Sequence, residues 1–302
     1  MKIITLVDRN EDFIPIQNDS LKKYVIDEFQ HIVFNNGSSS EQRKKITDVC
    51  SQNGILEINC LNSYMGNPSD VVANSLKDIY KNFLSVWKEP ILYIDSDMFL
   101  INDLNISELE TNEIGLIPMY RGPNHEVFSI WSGFWYINFQ KITSSVDFGL
   151  GPVNGINTDV MGKTHYLLQT IKRPKIWNLY NIYKYENDTI ETNYCAGVRI
   201  NFKTDSVDIL DPHISKTRVF PHETVNPSLL GDQKVMYQEL IKRLDFYGFP
   251  KPYNVDFICA GQKLNVFHFK SSNWCPWYYP EYVENKKQAM KRMIDDNGFS
   301  DR

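Results

Sequence analysis

The sequence has no apolar run approaching the ~20 residues that a membrane-spanning helix needs. Its clearest continuous core stretch, Ile91 to Ile94, is far too short. The opening MKIITLVD reads as a buried strand beginning at Lys2, with no charged segment leading into a long apolar run and a cleavage site, so no secretory signal is expected. Cysteine is scarce: Cys50, Cys60, Cys195, Cys259 and Cys275 are odd in number and scattered, with no CxxC pair to hold zinc or run redox chemistry. Reduced thiols and a cytoplasmic setting are the expectation. Without a secretory route, the Asn-x-Ser/Thr sequons at Asn18, Asn36, Asn105 and Asn187 are expected to carry no sugar. An excess of basic residues is also missing. The 32 Lys and Arg against 37 Asp and Glu leave a net charge of -5, which argues against a protein that works by neutralising nucleic-acid phosphates. No internal repeat, low-complexity tract or linker cuts the 302 residues in two.

What remains is the composition of an ordinary globular chain, 42% hydrophobic and 23% charged, enough for a packed core. The first hundred residues alternate strand-like and helix-like stretches. Lys2 to Asp8 reads as a strand, and Asp19 or Ser20 can cap a helix with the apolar face Leu21, Tyr24, Val25 and Phe29. His31 to Asn35 and Ile55 to Asn59 read as further strands. Asn67 and Pro68 start a helix whose apolar positions Val72, Leu76, Ile79, Tyr80, Phe83, Leu84 and Trp87 keep the helical period. Ile91 to Ile94, apolar throughout, suits a central parallel strand covered on both faces. The pattern predicts an α/β fold: an open sheet with ligands at the carboxyl ends of its strands. Later, Ile114 to Pro118, Phe134 to Phe139, Val198 to Phe202, Val207 to Leu210 and Leu264 to Phe269 read as strands. Residues 158 to 170 and 231 to 245 read as helices, and Glu281 to Asp295 as a terminal helix with a solvated charged face.

Chemistry concentrates in ILYIDSDMFL, residues 91 to 100. Asp95 and Asp97, two apart at the end of a buried strand, should leave on the same face. Paired carboxylates repel each other, and a divalent cation is the usual remedy. The plainer alternative is a strand-end turn with solvated acids.

LYIDSDMFL resembles the Asp-x-Asp strand of GT-A-fold glycosyltransferases, in particular the glycogenin-like retaining family, and the resemblance implies a Rossmann-like open mixed sheet flanked by helices. The resemblance implies that Asp95 and Asp97, with a later His, hold Mn²⁺ or Mg²⁺ against the diphosphate of a UDP-sugar. The later His would be His268 in VFHFKSSNW, where His268, Phe269 and Trp274 recur in the places of the family's His-Phe-x-Gly-x-x-Lys-Pro-Trp segment; Ser271 stands where that segment has Gly. Asp95, Ser96 and Lys270 are implied donor contacts. GDQKVMYQEL, residues 231 to 240, is similar to the family's Gly-Asp-Gln helix start, which assigns Asp232 and Gln233 to the neighbourhood of the transferred sugar. Both AGVRINF at 196 to 202 and WSGFWYINF at 131 to 139 resemble the family's Ser-Gly-Val strand. By position at the ends of the first two strands, Val7, Asp8, Asn35 and Ser38 are candidates for the uridine and ribose, although turn chemistry accounts equally for Asn35-Asn36-Gly37.

The function implied is metal-dependent transfer of a sugar from a nucleotide-sugar donor to a hydroxyl of a glycan or protein acceptor, with retention at the anomeric carbon. The whole chain, 1–302, would form one catalytic domain. Residues 1–110 would bind the donor, 111–280 would take the acceptor and close the metal site, and 281–302 would add the terminal helix. Three alternatives stay open: an inverting enzyme of the same fold with Asp159 as base, a haloacid-dehalogenase-like phosphatase using Asp95-Ser96-Asp97, and a nucleotide-sugar-binding module without turnover.

Overall fold

A computed structural model of the protein describes residues 1–61, 67–122, 126–172, 174–182, 184–186, 189–191, 198–201, 203, 206–209, 217–218, 227–260, 263–270 and 279–296. The amino-terminal part is a run of βα units: β1 (Lys2–Val7), α1 (Phe13–Tyr24), β2 (Gln30–Asn35), α2 (Ser40–Gln52), β3 (Leu56–Asn59), α3 (Pro68–Ile79) and β4 (Pro90–Ile94). The chain continues through β5 (Met98–Leu100), β6 (Ile114–Arg121) and the long β7 (Val127–Asn138). The main sheet has the order β3-β2-β1-β4-β7-β6, followed by the strand Pro174–Ile176, with Thr217–Arg218 paired to β6. β3, β2, β1 and β4 are parallel, while β7 runs antiparallel to both β4 and β6. This is the open α/β sheet that the alternating pattern predicts, mixed and flanked by helices as the resemblance implies.

Continuous apolar strands explain the sheet's centre. Ile3, Ile4, Ile32, Phe34, Ile91, Leu92 and Ile94 are all fully buried, so both faces of β1, β2 and β4 are covered. Stacking of Tyr93 on Trp135, with centroids 5.0 Å apart and planes 4° from parallel, joins β4 to β7.

Local chemistry shifts several expected boundaries. α1 begins at Phe13, not at Asp19 or Ser20, because Pro15 is tolerated in its first turn and Phe13 N–H already bonds Asn10 O at 2.9 Å. Ser20 lies inside the helix, donating to Gln17 O and accepting from Leu100 N–H. Phe29 falls beyond its end. α2 was absent from the sequence reading because only Ile46 and Cys50 are buried along it; its start is fixed by Ser39, whose hydroxyl accepts from Gln42 N–H. The apolar stripe after Pro68 is helical as expected, capped by Asn67, but Tyr80–Leu84 widens to a π-turn before Lys88 ends it in the left-handed region. Residues 158 to 170 form only the short turns Gly162–Thr164 and His165–Leu168, and helix Pro227–Tyr247 contains the predicted 231–245. Helix Pro280–Asp295 is not wholly a solvated charged face: Lys286 is buried, with Nζ 4.3 Å from the Phe269 ring centroid and donating to the carbonyls of Asn254 and Phe269.

A second sheet has the order Asn178–Ile182, Val255–Cys259, Val266–His268, β5, all antiparallel. Because β5 follows β4 after a single turn, the two sheets meet at Asp95–Asp97. Val198–Asn201, one of the two segments with Ser-Gly-Val resemblance, pairs in a separate small sheet, whereas the other forms part of β7 beside β4.

Cys50, Cys60 and Cys259 are free, and burial pushes the Cys50 and Cys60 thiols up to about 12. Cys195 and Cys275 lie outside the described residues. No described helix is long and apolar enough to cross a membrane.

Candidate functional site

Strand order reverses between β1 and β4, since the chain moves outward to β2 and β3 on one side and resumes at β4 on the other. In an open α/β sheet, that reversal opens a crevice at the carboxyl ends of the two strands. β1 ends at Val7, with Asp8 next, and β4 ends at Ile94, with Asp95 next.

Beyond Ile94 the chain does not continue as a strand that would project Asp95 and Asp97 from one face. It folds into a turn, closed by Met98 N–H to Asp95 O at 3.1 Å, so the acids come together through the turn and not through strand periodicity. Asp95 N–H reaches Gly133 O of β7 at 2.9 Å. A Cβ on Gly133 would lie 2.5 Å from Met98 Cε and 2.6 Å from the Trp131 ring, so a side chain here would force both aside. Here the sequence carried a signal, a glycine inside a strand pattern, that the resemblance alone left without a role.

The antiparallel register sets His268 opposite Met98 and Asp256 opposite His268. His268 Nε2 lies 3.3 Å from Asp97 Oδ1, and its Nδ1 lies 2.8 Å from Asp256 Oδ2. Asp256 is wholly buried and also takes Lys270 Nζ at 3.2 Å and the side-chain amide of Asn181. Phe269 N–H to Asp97 O, at 2.8 Å, fastens this strand end to the turn. Trp131 lies edge-on to the His268 ring, 5.7 Å between centroids.

The electrostatics follow from burial and charge. Burial raises the Asp95 pKa, and the neighbouring Asp97 carboxylate raises it further against the opposing Ser96 N–H, which donates to Asp95 Oδ1 at 2.9 Å, and against His268. Burial disfavours the His268 imidazolium, yet Asp97 and Asp256 outweigh it and lift the pKa to about 9. For Asp256, burial acts upward, but Lys270, His268 and Asn181 hold the carboxyl below its usual range. Three buried or enclosed acids thus face one lysine and one histidine, an excess of negative charge at the sheet junction.

Among the described residues, no three His, Cys, Asp or Glu side chains form a ready-made metal cage. Asp97 and His268 touch, the Asp97 carboxylate repels that of Asp95, and Asp256 stands behind His268. The sequence reading missed Asp256 altogether, since an acid inside an apolar strand (VDFIC) has no motif to announce it.

The remaining candidates separate. Val7 is buried in a small core with Ile14, Val33 and Ile46, and its carbonyl accepts Asn36 N–H at 2.8 Å. Asp8, partly exposed at the crevice, pairs with Arg9 at 3.2 Å. Asn35 is fully buried; its amide donates to Arg43 O and Glu57, and its Oδ1 accepts Gly37 N–H, so it shapes the loop from inside. Ser38 is exposed beside it. Asn36, read only as a turn residue, is 2% exposed, and its side-chain oxygen has no hydrogen-bond donor among the described residues. Lys270 directs its ammonium inward to Asp256 from a backbone with φ 54°, so its charge is already engaged with a protein carboxylate. Asp159 is half-exposed, 3.7 Å from Arg121, with Oδ1 accepting Val160 N–H at 2.7 Å. Asp232 and Gln233 fall in helix Pro227–Tyr247, and their side chains lie outside the described residues, as does Trp274.

No family model and no curated protein sequence matches the chain. Among solved structures it is similar to the galactosyltransferase LgtC, there in complex with donor and acceptor sugar analogues: 16% identity over 47% of this chain and 59% of that one, TM-score 0.31. It is also similar to the bifunctional glycosyltransferase WbbM in its apo form (11% identity, 47% of this chain and 32% of that one, TM-score 0.33). A third is the mannosyltransferase Ktr4p from S. cerevisiae (10% identity, 48% and 57%, TM-score 0.29). The chain spans less than two thirds of the length of each of these proteins. Likeness of this extent carries no functional weight; the α/β class rests on the sheet order and pairing above.

Proposed function

We propose that the protein is a metal-dependent glycosyltransferase that moves a sugar from a nucleotide-sugar donor, of the UDP-sugar class, to a hydroxyl of a glycan or protein acceptor. The observation that carries this reading is the junction itself: an enclosed Asp95/Asp97 pair at the strand-order reversal, faced by an imidazole that a buried carboxylate holds from behind.

The donor set fits a divalent cation of the Mn²⁺ or Mg²⁺ kind. Carboxylate oxygens suit both ions, and an imidazole nitrogen is compatible with Mn²⁺. Asp95, Asp97 and His268 would hold the ion, and Asp256 would keep the Nδ1 proton of His268 so that Nε2 faces the acids. When bound, the ion supplies positive charge against the departing diphosphate. Asp8 and the Asn36 oxygen, at the neighbouring strand ends, suit the donor's ribose and base, since a buried acceptor without a donor among the described residues is what a ligand N–H would complete. Gly133 and Trp131 fix the wall beside His268. Lys270 serves Asp256 and, through it, His268.

Retention at the anomeric carbon is the stereochemical reading, with Asp232 and Gln233 near the transferred sugar by resemblance of sequence. An inverting route would need a carboxylate as base.

Donor binding tests the reading. With Mn²⁺ present, a cognate UDP-sugar at 100 times its dissociation constant should raise stability by ~2.7 kcal/mol in a thermal-shift screen, and removal of the ion with EDTA should abolish the gain. A panel of UDP-sugars that leaves the melting temperature unchanged with Mn²⁺ would contradict it. NMR of the first-formed glycoside from a donor of known configuration decides between retention and inversion.

A further inference from the structure

Gln17 lies in the middle of α1, 1% exposed, and makes no contact that α1 itself requires. Its Nε2 donates to two backbone carbonyls far away in sequence, Asp95 O and Met98 O, both at 2.8 Å. These are the first and last carbonyls of the turn that carries Asp95 and Asp97. One planar amide therefore bridges both ends of that turn, using both of its hydrogens. Its own orientation is fixed from the other side: Thr5 Oγ1 of β1 donates to Gln17 Oε1 at 2.8 Å, and His31 Nε2 of β2 lies 3.3 Å from the same hydroxyl. The oxygen and nitrogen of the amide cannot be exchanged without placing carbonyl oxygens against Gln17 Oε1, so the network has one consistent assignment.

We propose that Gln17 is the positioning residue of the Asp95–Asp97 turn, bridging Asp95 O and Met98 O so that the two carboxylates stand at the separation a divalent cation requires. The inference rests on the reading of that turn as a cation site. An apolar residue of similar size would pack on α1 equally well but would leave the two carbonyls free to part. The acids would then relax away from each other, as their mutual repulsion favours. Thr5 acts one step back, because its hydroxyl selects the amide face that Gln17 presents.

The test uses the full chain and Mn²⁺ alone, with free Mn²⁺ measured by EPR and folding checked by circular dichroism. Wild type should bind Mn²⁺, and Asp97→Asn should abolish binding. Folded Gln17→Leu should weaken binding roughly 10-fold or more, the scale seen when groups supporting metal ligands are lost, and broaden the bound-Mn²⁺ spectrum. Thr5→Val should weaken it by a smaller factor, and Thr5→Ser, which keeps the hydroxyl, should restore it. These two variants carry the test if Gln17→Leu fails to fold. Asp97-dependent Mn²⁺ binding that is unchanged in Gln17→Leu, or in Thr5→Val when Gln17→Leu does not fold, overturns the role of Gln17 while leaving the cation site standing. A wild type that binds no Mn²⁺ overturns both.

Discussion

The amino-terminal βα run and the later antiparallel strands contribute to one site by different routes. In the first, Asp8, Asn36 and Asp95 reach the crevice because each ends or follows a parallel strand, and successive strands lie side by side. In the second, Asp256 and His268 arrive through antiparallel pairing between segments far apart in sequence, with Lys270 two residues beyond the end of the His268 strand and Gly133 next to the β4–β7 register. The parallel part determines where a ligand can lie. On the proposed reading, the antiparallel part determines what it can hold, since it supplies the imidazole and the carboxylate behind it.

Substitutions on either side of the junction can break this division. The largest effect is expected for Asp97→Asn, which keeps shape and removes one charge: metal-dependent transfer should fall by roughly 100-fold or more, given that a bound cation contributes several kcal/mol of charge stabilisation, while the circular dichroism spectrum stays native. UDP-release kinetics check this. Asp256→Asn acts from the antiparallel side, through His268, which it touches. Mn²⁺ affinity should drop about 10- to 100-fold as His268 loses its fixed Nδ1 partner, measurable by calorimetry.

Acid should act on the parallel side. Burial, aided by Lys22, lowers the His31 pKa from 6.5 to about 4, so the folded protein holds this ring neutral. The unfolded chain protonates first as pH falls. The contribution of His31 is therefore complete above pH 6.5 and is lost progressively toward pH 4, by roughly 3 kcal/mol in all. Urea melts across that window test it, with His31→Gln flattening the dependence. Gly133→Ala should cost about 1–3 kcal/mol by forcing Met98 and Trp131 aside, and should weaken Mn²⁺ binding as well. The smallest change, ~1 kcal/mol, is expected for Asn67→Ala, which removes the side-chain cap of α3 and none of the residues of the Asp95–Asp97 junction, and should leave Mn²⁺ binding untouched.

The same division explains what could be read from sequence. Apolar runs and helix period identify β1, β2, β4 and α3 directly, because local burial dictates them. Asp95 and Asp97 stood out because an acid pair after four apolar residues is locally unusual. The turn that joins them was not legible, since strand periodicity predicts the same proximity by a different geometry. α2 escapes pattern reading because its buried face is only two residues wide, and the helical pattern over residues 158 to 170 yields only the short turns Gly162–Thr164 and His165–Leu168. Asp256 and Gln17 could not be found from pattern at all. Each acts across a long separation in sequence, and one residue alone shows no sign of what its side chain will meet.

The central claim is that the Asp95–Asp97 turn and His268 hold a divalent cation on which donor chemistry depends. UDP release from a panel of UDP-sugars, measured with Mn²⁺ and again with EDTA for wild type and Asp97→Asn, tests it most directly. Release by wild type only in the presence of the ion, and none from Asp97→Asn, is the result expected. Equal release in EDTA, or full activity in Asp97→Asn, would contradict it.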